Sequence, residues 1–393
     1  MVDSITYRLL AIIMKYFIIA GEASGDLHGA NLMRELKESD REAQFCFLGG
    51  DMMATVGGTP LIHYRQMAFM GIISVILHLS TVLRNIAVCK KALRTFSPDV
   101  LILIDYPSFN LRIAKYAKEK LGIKVFYYIS PKLWAWKEYR IKQVKALIDK
   151  MFCIFPFEID FYKKRDYHQT VYVGNPLMDA IESRPEKGEQ FSTFVRRNKL
   201  EQKPIIALLS GSRKKEIADN LPLMISTISQ FPDYQFIIAG APGIVPDYYA
   251  RFIKDTNIKI VFSQTYALLQ QASAALVTSG TATLETALLN IPQVVTYNME
   301  LGRLGPLLYS CFIRTPYFSL VNIITGKPVV KELLGSQVTN QALSQELDRL
   351  LNNRPYRDKM LHEYHLLHKL LGTSGASRKA AETMVQLLQK SAD

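Results

Sequence analysis

Short apolar runs rich in Val, Ile, Phe and Tyr recur along this 393-residue chain, and each is followed by a segment of helical periodicity. That rhythm restricts the fold more than any other feature. The first series is Tyr16–Ala20, Phe45–Leu48, Val100–Ile104, Lys124–Ile129, Met151–Phe155 and Val171–Val173. The second is Ile205–Leu209, Gln235–Ala239, Ile258–Phe262, Ala274–Val277 and Gln293–Tyr297. Apolar and polar residues hardly alternate within them. Strands of this kind are buried on both faces, as in parallel sheets sheathed by helices. Repeated β–α alternation makes an α/β protein, and the length suits about two domains.

The polar stretch Glu182–Gln190 contains Pro185 and Gly188 and separates the two series. Each side opens alike, with a strand, a glycine-containing turn and a helix. We therefore expect two Rossmann-like domains with a cleft between them, at 1–182 and 183–363. A helical segment, 364–393, is expected to pack back on the first domain. Residues 1–15 read as an extension, and no small-residue cleavage site separates Leu9–Met14 from the first strand, which argues against a signal peptide.

Lysine and arginine exceed aspartate and glutamate by 48 − 35 = 13, which favours anionic partners. The basic residues are spread along the chain, so nucleic acid is not an expected partner. Cys46, Cys89, Cys153 and Cys311 are far apart and form no CxxC, so the sequence encodes neither a disulfide framework nor a zinc ribbon and suits a reducing cytoplasm. His362, His365 and His368 do not form an HExxH pattern, and there is no Asp-x-Asp to bridge a metal to a diphosphate. No metal and no cofactor are expected. Residues 66–83 carry no charge. They read as a core helix, as a helix that dips into a membrane surface or holds lipid tails, or as a span.

Four turns carry the candidate chemistry. Gly21-Glu22-Ala23-Ser24-Gly25-Asp26 follows a strand and opens a helix, where small residues let backbone amides approach a ligand. The alternative is a tight βα turn with Asp26 as a cap. Asp105 ends the run Val100–Ile104, and ligands of open parallel sheets sit beyond the carboxyl ends of strands. It is either a helix cap or a general base. Ser210-Gly211-Ser212-Arg213 joins helix-terminal amides to a guanidinium fork, a combination suited to a diphosphate. Ser279-Gly280-Thr281 offers amides and hydroxyls at the entry to a helix expected over Glu285–Leu289, and Glu285 is placed to accept a ribose diol.

Taken in order, AGEASGD (20–26), FMGIISV (69–75), PDVLILIDYPSFN (98–110), YYISPKLWAWK (127–137), VGNPLMDA (173–180), LLSGSRKKEI (208–217), SGTATLE (279–285) and YFSLVNIITGKPVVKELL (317–334) resemble the lipid-A-disaccharide synthases. These are inverting glycosyltransferases of the two-Rossmann-domain, GT-B type. The resemblance runs from about Tyr16 to the C-terminal helices. Ser108 stands where the family often has a second aspartate, which shifts weight to Asp105.

The resemblance implies transfer from UDP-2,3-diacylglucosamine to the 6-hydroxyl of 2,3-diacylglucosamine 1-phosphate (lipid X), giving a β-1,6 disaccharide 1-phosphate and UDP. Asp105 would be the base, with Asp26 the runner-up. Ser210, Gly211, Ser212, Arg213, Ser279, Gly280, Thr281 and Glu285 would hold UDP. Gly25, Met70, Ile72, Ile76 and Asn322 would meet the acceptor or its acyl chains. The enzyme would lie peripherally at the cytoplasmic face of the inner membrane, with dimerisation left open. A UDP-sugar epimerase, a soluble glycosyltransferase, a basic nucleic-acid-binding protein and a nucleotide-sugar sensor are the competing readings.

Overall fold

Every apolar run named above is a strand. A computed structural model describes residues 13–67, 79–135, 137–254, 256–297 and 315–390. These described residues divide into two compact units: those within 13–133, 137–176 and 375–390 form the first, and those within 177–374, with 134–135, form the second.

The first unit is built on a parallel sheet in the order β3-β2-β1-β4-β5-β6-β7. Its strands are β1 (Lys15–Ala20), β2 (Gln44–Gly49), β3 (Thr59–His63), β4 (Val100–Ile104), β5 (Lys124–Tyr128), β6 (Lys150–Cys153) and β7 (Thr170–Tyr172). β4 is buried throughout, as a central strand covered on both faces must be. Ala20 on β1 lies opposite Ile104 on β4, so the turns that follow these strands emerge side by side.

The second unit repeats the plan in the order β10-β9-β8-β11-β12-β13. Its strands are β8 (Ile205–Leu209), β9 (Gln235–Gly240), β10 (Lys259–Phe262), β11 (Ala272–Thr278), β12 (Gln293–Tyr297) and β13 (Lys331–Leu334). Val277 lies opposite Leu209, which again sets two strand-end turns next to each other.

Two strands were not foreseen from the sequence, β3 and β13, one at an edge of each sheet. β3 contains Pro60, and β13 opens with Lys331 and Glu332. Edge strands need bury only part of their surface, so the apolar run that betrays a central strand is absent.

The final helix, Ala376–Gln389, packs on Ala23–Ser39 within the first unit. Met384, Val385 and Leu388 join the core that contains Met33 and Leu36. Each such side chain contributes roughly 1.5–3 kcal/mol on burial. The rim pair Arg378–Glu35, at 3.2 Å, adds less than about 1 kcal/mol, so apolar contact holds the helix. The return starts later than position 364. Tyr364 is buried in Arg354–Leu371 of the second unit, and the chain is freed at Gly372 and Gly375, whose φ values of 79° and 106° suit only glycine.

Candidate functional site

In the first unit the turn after β4 is the unusual one. Asp105 and Tyr106 both adopt left-handed backbone, with φ of 42° and 48°. Such conformations cost about 1–3 kcal/mol each for side-chain-bearing residues and persist where their surroundings enforce them. Here the enforcing contacts converge on one carbonyl. The Asp105 oxygen accepts from Asn110 Nδ2 at 2.6 Å and from the Tyr127 hydroxyl at 2.5 Å. The Tyr106 hydroxyl donates to the Met67 carbonyl at 2.6 Å. A Cβ on Gly21 would stand 2.3 Å from the Tyr106 ring, so the glycine of the neighbouring turn admits that ring. Burial raises the Asp105 carboxyl above the usual carboxylate range. The Lys132 charge and the Tyr106 backbone N–H work against that rise.

Asp26 sits only 3% exposed. Its carboxylate accepts from the backbone N–H groups of Gly50 (2.7 Å), Met52 (3.1 Å) and Met53 (3.1 Å). It therefore caps the Asp51–Val56 helix from a distance rather than its own helix. A Cβ on Gly50 would lie 2.6 Å from the Asp26 carboxylate, so this close approach needs glycine. Gly25 is a packing residue: a Cβ there would come within 3.3 Å of the Ala20 side chain on β1. Met70, Ile72 and Ile76 lie outside the described residues.

In the second unit the turn after β8 is organised by Glu216, which the sequence reading passed over. Glu216 Oε2 accepts from Ser212 N (2.9 Å), the Ser212 hydroxyl (3.3 Å) and Arg213 N (3.3 Å). Its Oε1 takes Arg213 Nη1 at 2.8 Å. Gly211, at φ 115°, would bring a Cβ to 2.5 Å from the Glu216 Cβ, so only glycine lets the turn fold over this carboxylate. The amides of Ser212 and Arg213, expected to meet a diphosphate, are thus engaged internally. What the turn presents is the exposed Arg213 guanidinium, oriented by Glu216.

Ser210 follows β8, and Thr278 is the last residue of the neighbouring β11. They are 1% and 4% exposed, and their hydroxyls have no partner among the described residues. Buried orphan hydroxyls are rare and call for a ligand or water. The helix after β11 is Thr281–Leu288, starting four residues earlier than anticipated. Ser279, expected to offer its amide and hydroxyl to a diphosphate, donates its N–H to the Thr296 carbonyl at 2.8 Å and its hydroxyl to the Phe318 carbonyl at 3.0 Å. That leaves the turn's Gly280 and Thr281. A Cβ on Gly280 would meet nothing within 4 Å, so the backbone there lies open.

Phe318 is itself held by Glu332 of β13, whose carboxylate accepts from Phe318 N, Ser319 N (2.8 Å), the Ser319 hydroxyl (2.7 Å) and Asn322 Nδ2 (2.9 Å). Asn322 also pairs with Val330 in both directions at 2.9 Å. Both amide donors of Asn322, on the short helix Leu320–Thr325, are thus engaged in tying that helix to Val330 and Glu332.

Glu285 lies on the Thr281–Leu288 helix, and its Oε1 accepts the Tyr266 hydroxyl at 2.8 Å. Burial raises its carboxyl above the usual range, while the Tyr266 hydrogen bond opposes the shift.

Over residues 16–386 the sequence matches the family model for lipid-A-disaccharide synthetase. The chain belongs to that family. It is 33% identical over 385 residues to a lipid-A-disaccharide synthase of Geobacter metallireducens, covering 96% of this chain and 98% of that one. It is 35% identical over 381 residues to the Syntrophus aciditrophicus enzyme, covering 95% and 98%. Its backbone is similar to the UDP-GlcNAc 2-epimerase of Neisseria meningitidis bound to UDP-GlcNAc, with a TM-score of 0.69 at 15% identity, covering 95% of this chain and all of that one. A kitacinnamycin glycosyltransferase superposes with a TM-score of 0.65 at 13% identity, covering 96% and 99%. The fold class is thus GT-B, and the chain is a glycosyltransferase of lipid A biosynthesis.

Proposed function

We propose that the chain transfers 2,3-diacylglucosamine from its UDP conjugate to the 6-hydroxyl of 2,3-diacylglucosamine 1-phosphate. Asp105 takes the hydroxyl proton as the oxygen attacks the donor anomeric carbon from the face opposite UDP. The bond from that carbon to the UDP oxygen breaks, UDP leaves with the electron pair, and the configuration inverts to β. One observation carries this reading. A carboxylate is locked on a left-handed turn at the carboxyl end of a central strand, with burial making it more basic than an ordinary aspartate. Asp26, already accepting three backbone donors, serves as a positioning group for the Asp51–Val56 helix rather than as the base.

In the second unit Arg213, the Gly280–Thr281 backbone and the orphan hydroxyls of Ser210 and Thr278 are the groups fitted to the diphosphate. Glu285 takes the uridine ribose. Incubating the chain with both lipids should yield, by mass spectrometry, the disaccharide 1-phosphate and an equal amount of UDP. Epimerised UDP-sugar formed without acceptor would replace this reading with the epimerase one.

We place the acyl chains and the membrane near the Leu79–Phe96 helix. Leu79 and Leu83 are 49% and 54% exposed, one turn apart, Arg84 is exposed next to Leu83, and Lys91 is exposed further along the same helix. Apolar side chains flanked by cations suit an anionic bilayer surface, with each cation adding about 1 kcal/mol. No described helix is long and apolar enough to cross a membrane. Replacing Leu79 and Leu83 together by Glu should reduce co-sedimentation with anionic vesicles about tenfold or more, with the far-ultraviolet dichroism unchanged. Undiminished sedimentation would remove this surface from the proposal.

A further inference from the structure

Glu285 has one oxygen engaged and one not. Oε1 accepts the Tyr266 hydroxyl at 2.8 Å, and Oε2 has no protein partner among the described residues. Tyr266 stands on the Thr265–Gln271 helix, which follows β10 and packs on the sheet through Ala267, Leu268 and Leu269. The phenol therefore comes from a rigid element separate from the one that carries the carboxylate. Its surroundings keep it a neutral donor, because burial and the Glu285 charge both push the Tyr266 hydroxyl well above the usual phenol range. The Arg184 charge faces it and works the other way. Arg184 is itself tied to Gln270 Oε1 at 3.0 Å, on the same helix as Tyr266.

We propose that Tyr266 is a positioning residue for nucleotide recognition, setting the Glu285 carboxylate plane so that it receives the two hydroxyls of a ribose. The inference rests on the reading that Glu285 holds the ribose. A free carboxylate turns about its last side-chain bond. One fixed oxygen fixes the plane and directs the lone pairs of the other. A vicinal diol then donates one hydrogen bond to Oε2 and one to the remaining lone pair of Oε1. The ligand class selected is a ribonucleoside diphosphate over its deoxy counterparts. A missing hydroxyl leaves a desolvated carboxylate lone pair unmatched, and that loss costs far more than a weakened contact.

The test uses the full chain and two probes, UDP and 2′,3′-dideoxy-UDP, with affinities measured by calorimetry. Wild type should prefer UDP. Tyr266→Phe removes one oxygen and keeps the ring. It should weaken UDP about five- to tenfold while leaving dideoxy-UDP within about twofold, so the preference narrows. Glu285→Gln should narrow it at least as much. Equal weakening of both probes by Tyr266→Phe would mean a general structural role and overturn the proposal. A preference lost in Glu285→Gln but intact in Tyr266→Phe would also overturn it and leave the ribose reading standing. A preference unchanged in Glu285→Gln would overturn the ribose reading itself, and the role of Tyr266 with it.

Discussion

Replacing Asp105 by Asn should lower kcat by about 10²–10⁴, the range general-base removal covers, without unfolding the protein. The geometry makes this a clean substitution. Asn tolerates left-handed backbone as Asp does, and the contacts from Asn110 and Tyr127 go to the main-chain carbonyl rather than to the side chain. The amide cannot take a proton, so chemistry is lost while the turn stays in place.

Stability should move the other way. The carboxyl is raised above its unfolded value, so the folded state holds the proton more tightly than the unfolded state does. The Asp105 contribution is then most favourable below the ordinary carboxylate range. It declines as pH rises through the raised folded value. At neutral pH the buried charge is a cost that Asn removes, so the variant should melt at or above the wild-type temperature. With Asp105 as the proposed base, the same shift should set the acid limb of wild-type activity. The base works only when ionised, so kcat should fall with decreasing pH from a point above the ordinary aspartate range. An Asn variant of near wild-type turnover would exclude Asp105 as the base. A variant that melts well below wild type would exclude the burial argument.

The parts of the molecule legible in its sequence share a physical cause. Central strands must be apolar on both faces, so β4, β8 and β12 end where their apolar runs end. Glycines stand where a neighbouring side chain packs against the main chain, so the turns at Gly21 and Gly211 are visible as motifs. The supporting groups are less visible because they act across the fold. Tyr266 meets Glu285 from another helix, and Glu332 reaches the start of the Leu320–Thr325 helix from an edge strand whose sequence looks like a loop. Glu216 was within reach of sequence reasoning, since a glutamate three residues after a helix-capping position is a known start signal. Ser279 and Asn322, read from the sequence as ligand contacts, both donate hydrogen bonds within the protein, to Phe318 and to Val330 and Glu332. A hydroxyl or amide has few bonds to give, and only the fold shows whether neighbours have already taken them.

Arg213→Ala should lower kcat about 10²–10³, the scale of losing one preorganised charge-stabilising donor. When the glycosidic bond breaks, negative charge grows on the leaving diphosphate. On the proposed reading, the groups that meet it are the Arg213 guanidinium and the amino-terminal end of the Thr281–Leu288 helix, since the turn amides before Lys214–Ile225 are already held by Glu216. Arg213 is exposed, so as an ion pair with Glu216 it adds little to stability. The pair's importance lies in orientation: Glu216 engages Nη1 and leaves the rest of the guanidinium fork available. Lys at this position keeps the charge without the fork and should recover only part of the loss. Glu216→Gln should weaken catalysis as well, because it loosens both the turn amides and the arginine. The division between constants is decisive. An interaction that strengthens as UDP departs lowers kcat, whereas one equally present in bound substrate raises KM alone. If Arg213→Ala raises KM with kcat intact, the arginine binds the donor but does not help it leave. Excess chelator should leave wild-type turnover unchanged. Activity lost on chelation and restored by added magnesium would transfer this role from the guanidinium to a metal ion.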